Sequence, residues 1–177
     1  MNWYLKRDVV PLLLCTIVMI LFEIFSTAFM PLLGIENYRI PFHILVVLYL
    51  GFKLETPLLA VYIFSIQFVH SFFTIEGWEM GTIAGIITCT TISYLRDLIH
   101  LSSGALTMLM TQVFQILWFV IISIFLFIKL DSSAYIVNKF WRFIPESLFL
   151  SLLAPVVFSV FDRLWKGGEN SAIGDNV

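Results

Sequence analysis

Charge is the scarcest property of this 177-residue chain: Asp, Glu, Lys and Arg together make up 12% of it. Ten basic residues against twelve acidic ones leave a formal charge of −2 with no run of Lys or Arg, which excludes an electrostatic nucleic-acid surface. Only two cysteines occur, Cys15 and Cys89, each inside an apolar run. That usage excludes a disulfide framework and reads as two small buried hydrophobes. Catalytic patterns are missing as well. No serine stands in G-x-S-x-G, no carboxylate pair has the G-x-G-D or D-x-x-D spacing, and there is no glycine-rich phosphate loop, so the chain is not expected to be an enzyme. The three histidines, His43, His70 and His100, show no H-x-x-x-H spacing, so neither a metal nor a cofactor is expected. The first apolar run is followed by no A-x-A cleavage site and is too long for a signal-peptide core, so it reads as an uncleaved first helix. Heptads, solenoid periods and low-complexity blocks are absent too, and the two halves show no similarity.

What the chain has instead is apolar sequence: 60% hydrophobic residues and a mean hydropathy of +0.97. A bilayer core about 30 Å thick takes roughly 20 apolar residues per spanning helix, so most of the chain belongs in lipid. Six apolar runs predict an all-α integral membrane protein, a six-helix transmembrane bundle filling residues 1–166 as one domain. The helices are expected at about 9–33, 40–52, 57–73, 80–99, 104–128 and 145–165. The second, at about 13 residues, is short for a span and suits a half-helix or re-entrant piece. Thr56-Pro57 looks like an N-cap followed by the favoured first-turn proline. Ser132 to Phe143, with Tyr135, Lys139, Trp141 and Arg142, looks like an aromatic-basic segment in the headgroup region. Residues 167–177 read as a disordered cytoplasmic tail.

Basic residues set the topology. With six spans and the amino terminus inside, Lys6, Arg7, Lys53, Arg96, Arg163 and Lys166 are cytoplasmic, while Arg39, Lys129, Lys139 and Arg142 lie outside. The bias favours six spans and puts both termini in the cytoplasm.

Polar groups inside membrane runs are costly and are the default candidates for function. Glu23 lies well into the first helix and needs a neighbour, for which Gln67, His70 and Gln115 are candidates. Gln67 and His70 stand three apart and share a face, so Glu23, Gln67, His70 and Gln115 are expected to form a buried polar cluster. Gln112 and Gln115 share a face of the fifth helix and suit inter-helix hydrogen bonds. Gly81-Thr-Ile-Ala-Gly85 is a G-x-x-x-G that permits close helix approach, within the chain or with a partner. Thr88, Thr90 and Thr91 extend that small polar surface. Arg96, Asp97 and His100 close the fourth helix at the cytoplasmic face. Glu146 follows Pro145 in the first turn of the sixth helix, where a carboxylate complements the helix dipole.

The last helix carries a resemblance. Phe143-Ile-Pro-Glu-Ser-Leu-Phe-Leu-Ser-Leu-Leu-Ala-Pro-Val-Val-Phe-Ser-Val-Phe-Asp-Arg-Leu-Trp165 resembles the closing helix of the rod-shape-determining MreD family. Tyr49-Leu-Gly-Phe-Lys-Leu-Glu-Thr-Pro57 is similar to that family's short basic turn, Met80-Gly81 to its leucine-glycine, and Ser93-Tyr-Leu-Arg-Asp97 to the end of its fourth helix. The likeness covers about residues 40–165. It departs at Ser65-Ile-Gln-Phe-Val-His-Ser71, where Gln67 and His70 stand and the family's G-L-x-x-D aspartate is missing. The resemblance implies a bacterial inner-membrane scaffold of the cell-elongation and cell-shape machinery that regulates peptidoglycan synthesis. Its expected partners are a bitopic MreC-like protein, MreB, RodA and a penicillin-binding transpeptidase. The partner contact is expected at Gly81 and Gly85, with Arg96 and Asp97 facing the cytoplasm. The family's fold is similar to that of substrate-capture subunits of energy-coupling-factor vitamin transporters, which supplies an alternative. That reading expects a polar pocket under the outer loops near Glu76, Trp78, Glu79 and Glu146.

Overall fold

A computed structural model describes the chain except residues 1, 33, 35–37, 39, 55–57, 75–76, 96–102, 131–132 and 174–177; the side chains of 2–8, 29–30, 130, 133 and 166–173 also lie outside the description. Among the described residues the protein is all helical. The six helices are α1 (Asn2–Leu32), α2 (Phe42–Lys53), α3 (Leu59–Ser71), α4 (Trp78–Leu95), α5 (Gly104–Leu130) and α6 (Ser133–Ile173). Three stretches are long and apolar enough to cross a membrane: Val9–Ala28, Gly104–Lys129 and Ala134–Trp165. Their outward faces carry large apolar residues such as Leu13, Leu21, Leu152 and Val156, all more than half exposed, which is the surface a helix presents to lipid rather than to water.

α2 is the post around which the others stand. Every residue from Phe42 to Gly51 is buried, and the helix touches each of the other five. A helix that is apolar all round has no face to offer water and belongs inside. Its 12 residues reach only about 18 Å, well short of a bilayer core. Both ends are tied in. Ser26 Oγ of α1 accepts from Ile40 N–H at 3.2 Å just before it begins. Near its other end, Tyr49 Oη and Lys53 Nζ donate to Asp162 Oδ1 of α6 at 3.0 and 3.2 Å. Tyr49 also packs against Phe158, Phe161 and Trp165. The cysteines behave as expected: both are buried, Cys89 Sγ standing 3.6 Å from the Val47 carbonyl.

Some helix limits differ from those the sequence suggests. α6 opens at Ser133 instead of 145, so the aromatic-basic stretch is the first third of a continuous helix. It folds back along α5, with Phe143 stacked on Phe119 at 4.4 Å and Phe140 beside it at 5.9 Å. Pro145 and Pro155 lie inside this helix without ending it. A proline removes one backbone bond, and a neighbouring helix compensates for that within a membrane. The helix also continues through Ile173, into the stretch expected to be a disordered tail. α1 begins at Asn2, seven residues before the apolar run. The Thr56-Pro57 cap and His100 lie outside the described residues.

Candidate functional site

The up-and-down course of α1, α2 and α3 brings three lone polar side chains to one level. Glu23 stands in the last third of α1, His43 in the first turn of α2 and His70 in the last turn of α3. His43 Nδ1 lies 3.4 Å from Glu23 Oε1, and His70 Nδ1 lies 3.1 Å from the same oxygen. The two imidazole rings stack with centroids 3.5 Å apart and planes at 27°. Trp118 of α5 closes the group edge-on to His43 at 6.0 Å. Such a carboxylate at bilayer depth is tolerable only because two imidazole nitrogens face it.

Glu23 and His70 therefore meet as expected, and the partner that sequence reasoning missed is His43. Residues 23, 43 and 70 sit on three helices, and a search for ligand spacing within one segment does not find them. The donor atoms of Glu23, His43 and His70 all lie within 4.8 Å of one another, a set of the kind that holds a metal ion. The fold assembles this set across helices, where spacing along one segment does not show it.

Beside this group lies a cavity of about 40 Å³ lined by His43, Gln67, His70, Thr74, Gly77, Met80, Gly81 and Ile122. Gln67 thus borders the cluster, fully buried and with Nε2 lacking a hydrogen-bond partner among the described residues. Gln115 does not join it. The Gln115 Nε2 amide donates to Ser151 Oγ at 3.1 Å, Ser151 Oγ donates to Gln112 Oε1 at 2.7 Å, and Gln112 Nε2 donates to Ser147 Oγ at 3.1 Å. These four residues form a polar ladder that joins α5 to α6, consistent with the inter-helix role expected for Gln112 and Gln115. Placing Gln115 beside Glu23 is corrected, because its face of α5 is turned towards α6.

Gly81 and Gly85 make a close-approach seam, and the seam is internal. A Cβ at Gly81 would collide with Gln67 Oε1, and its distance to Gln67 Cδ would be 2.9 Å. A Cβ at Gly85 would stand 2.6 Å from Ile63 Cγ2 and 3.2 Å from Trp118 Cη2. Both glycines are buried, so the G-x-x-x-G seats α3 and α5 against α4 and no outside helix reaches it. The partner contact expected there is corrected for this reason. Of the threonines that follow, Thr88 is buried, while Thr90 and Thr91 bond the carbonyls of Ile86 and Ile87 on their own helix. Arg96, Asp97 and Glu76 lie outside the described residues. Trp78 and Glu79 are exposed, and Glu146 is half-buried.

A second concave feature lies between α5 and the first turns of α6. It is an open apolar groove of about 470 Å³, lined by residues that include Phe119, Ser123, Phe127, Ile136, Val137 and Phe140. Ser123 is its one polar side chain, and Ser123 Oγ is buried with no hydrogen-bond partner among the described residues. Ile122 stands at the cavity beside the histidines, and α5 runs on past that level to Leu130.

Among the described residues these features define an all-helical protein with three membrane-length helices, a buried carboxylate–histidine cluster and an open apolar groove. The chain matches no family model, no curated protein and no solved structure.

Proposed function

We propose that the chain is a non-enzymatic scaffold of the bacterial inner membrane, a six-helix bundle with a short second helix and both termini cytoplasmic. It serves the cell-elongation complex by docking the transmembrane helix of a bitopic MreC-like partner. MreB, RodA and a penicillin-binding transpeptidase are the further members of that assembly. The observation that carries this reading is the α5–α6 groove. In lipid no hydrophobic drive brings helices together, so association depends on close packing and a few polar contacts. An open apolar groove between α5 and α6, with one orphaned hydroxyl at Ser123, offers both. The resemblance of residues 143–165 to the closing helix of the MreD family supplies the identity of the partner.

The alternative, a vitamin-capture subunit, fits less well. Pockets for small organic ligands run to roughly 300–1,000 Å³. The polar cavity beneath the α3–α4 connection has about 40 Å³, and the larger groove is lined almost wholly by apolar atoms.

Filling the groove tests the proposal. Val137→Trp blocks it and should abolish co-purification of the partner from native membranes while leaving expression and helicity unchanged. Leu152→Trp, on a lipid-exposed position of the same helix, should retain the partner. Equal recovery with both variants would remove the groove from the account.

A further inference from the structure

The geometry points to a binding site for one divalent transition-metal ion, of the zinc and cobalt class, at Glu23, His43 and His70. Two imidazoles and one carboxylate are a donor set that suits such ions. In a tetrahedral site with bonds of about 2.0–2.1 Å the donors stand about 3.3–3.4 Å apart. The two carboxylate-to-nitrogen separations here, 3.1 and 3.4 Å, are already near that edge length. The third separation, between the two nitrogens, is within 4.8 Å, and holding one ion in both ring planes requires the stacked imidazoles to turn out of their stack.

A purely structural cluster accounts for less of what surrounds it. His70 Nδ1 lies 3.1 Å from the carboxylate but makes no hydrogen bond. Gln67 Nε2 and Thr74 Oγ1, both buried, have no hydrogen-bond partner among the described residues. All three of these atoms belong to residues lining the one cavity of about 40 Å³. Orphaned buried polar groups are costly, and three around one cavity ask for a polar occupant. The cavity has room for about one water, the ligand that would complete a four-coordinate ion. The Gln67 amide and the Thr74 hydroxyl are then placed to hydrogen-bond that ligand. The two ends of the Gln67 amide exchange by a simple flip, so it can present either a donor or an acceptor.

The arrangement also limits the site to an ion. The cavity of about 40 Å³ is far smaller than the roughly 300–1,000 Å³ of pockets that take small organic ligands.

The test uses the full chain, purified in detergent, treated with chelator and then titrated with Co2+. Tetrahedral Co2+ bound by nitrogen and oxygen has visible d–d absorption, which reports the ligand set directly. The expected result is saturation at one Co2+ per chain, with competition by Zn2+. Losing even an outer-shell partner of a metal ligand costs roughly 10- to 100-fold in affinity, so Glu23→Gln and His70→Ala should weaken binding at least that much. Glu23→Gln keeps the side-chain shape, and circular dichroism establishes that the variants are folded. Gln115→Ala, on the separate ladder, should bind Co2+ as the parent does. No stoichiometric absorption in the parent, or an unchanged affinity in Glu23→Gln, would overturn the assignment.

Discussion

Replacing Gly85 by alanine sets two opposing effects against each other, and the packing decides which wins. In a helix interior alanine is favoured over glycine by about 0.8–1.0 kcal/mol. Against that stands a Cβ placed 2.6 Å from Ile63 Cγ2, about 1 Å inside the ordinary carbon–carbon separation of 3.5–4.0 Å. Ile63 is β-branched with a restricted rotamer and only 1% exposed, so it has nowhere to turn. Trp118 stands at 3.2 Å from the same Cβ and is 2% exposed. Overpacking of this kind costs about 1–3 kcal/mol, which outweighs the propensity gain and leaves a net loss of about 1 kcal/mol. Reversible unfolding in mixed detergent micelles, followed by helicity, measures it. Ile63→Ala removes the colliding methyl, so in that background Gly85→Ala should no longer destabilise and should lean towards stabilisation. A stabilising Gly85→Ala in the parent would refute the reasoning and return the glycine seam to a partner outside the chain.

Two other outcomes follow from the same packing. Gln115→Leu and Gln112→Leu should each cost about 1 kcal/mol, within the range of inter-helix hydrogen bonds in membranes, and the double variant should cost less than their sum because Ser151 is shared; a double-mutant cycle in the same unfolding assay checks this. Cys15 and Cys89, both buried, should resist a membrane-permeant maleimide in the folded protein and react only after unfolding, as read by mass shift.

Helix number and type were open to sequence reasoning, because six apolar runs have few other solutions in lipid. The start of α6 was not. Lys139, Arg142 and Pro145 break the apolar pattern, yet Phe140 and Phe143 find Phe119 on α5, and that contact lies outside any local window. The same error hid the partner of Gln115. With α6 starting at Ser133, antiparallel register brings Gln115 opposite Ser151, whereas a helix starting at 145 gives no such register. The glycine pair was readable as a close approach, but spacing alone says nothing of which helix approaches. His43 was available in principle. Glu23 lies late in α1, His43 early in α2 and His70 late in α3, so alternating helix direction places all three at one end.

The central claim, that the α5–α6 groove receives a partner's transmembrane helix, is tested most directly by photo-crosslinking in native membranes. A photoreactive residue at Phe127 or Val137, both groove-lining and about half exposed, should yield one adduct with a single-span membrane protein. The same probe at Leu152 should yield only lipid. Lipid adducts alone at all three positions, or the same protein adduct at Leu152, would contradict the claim.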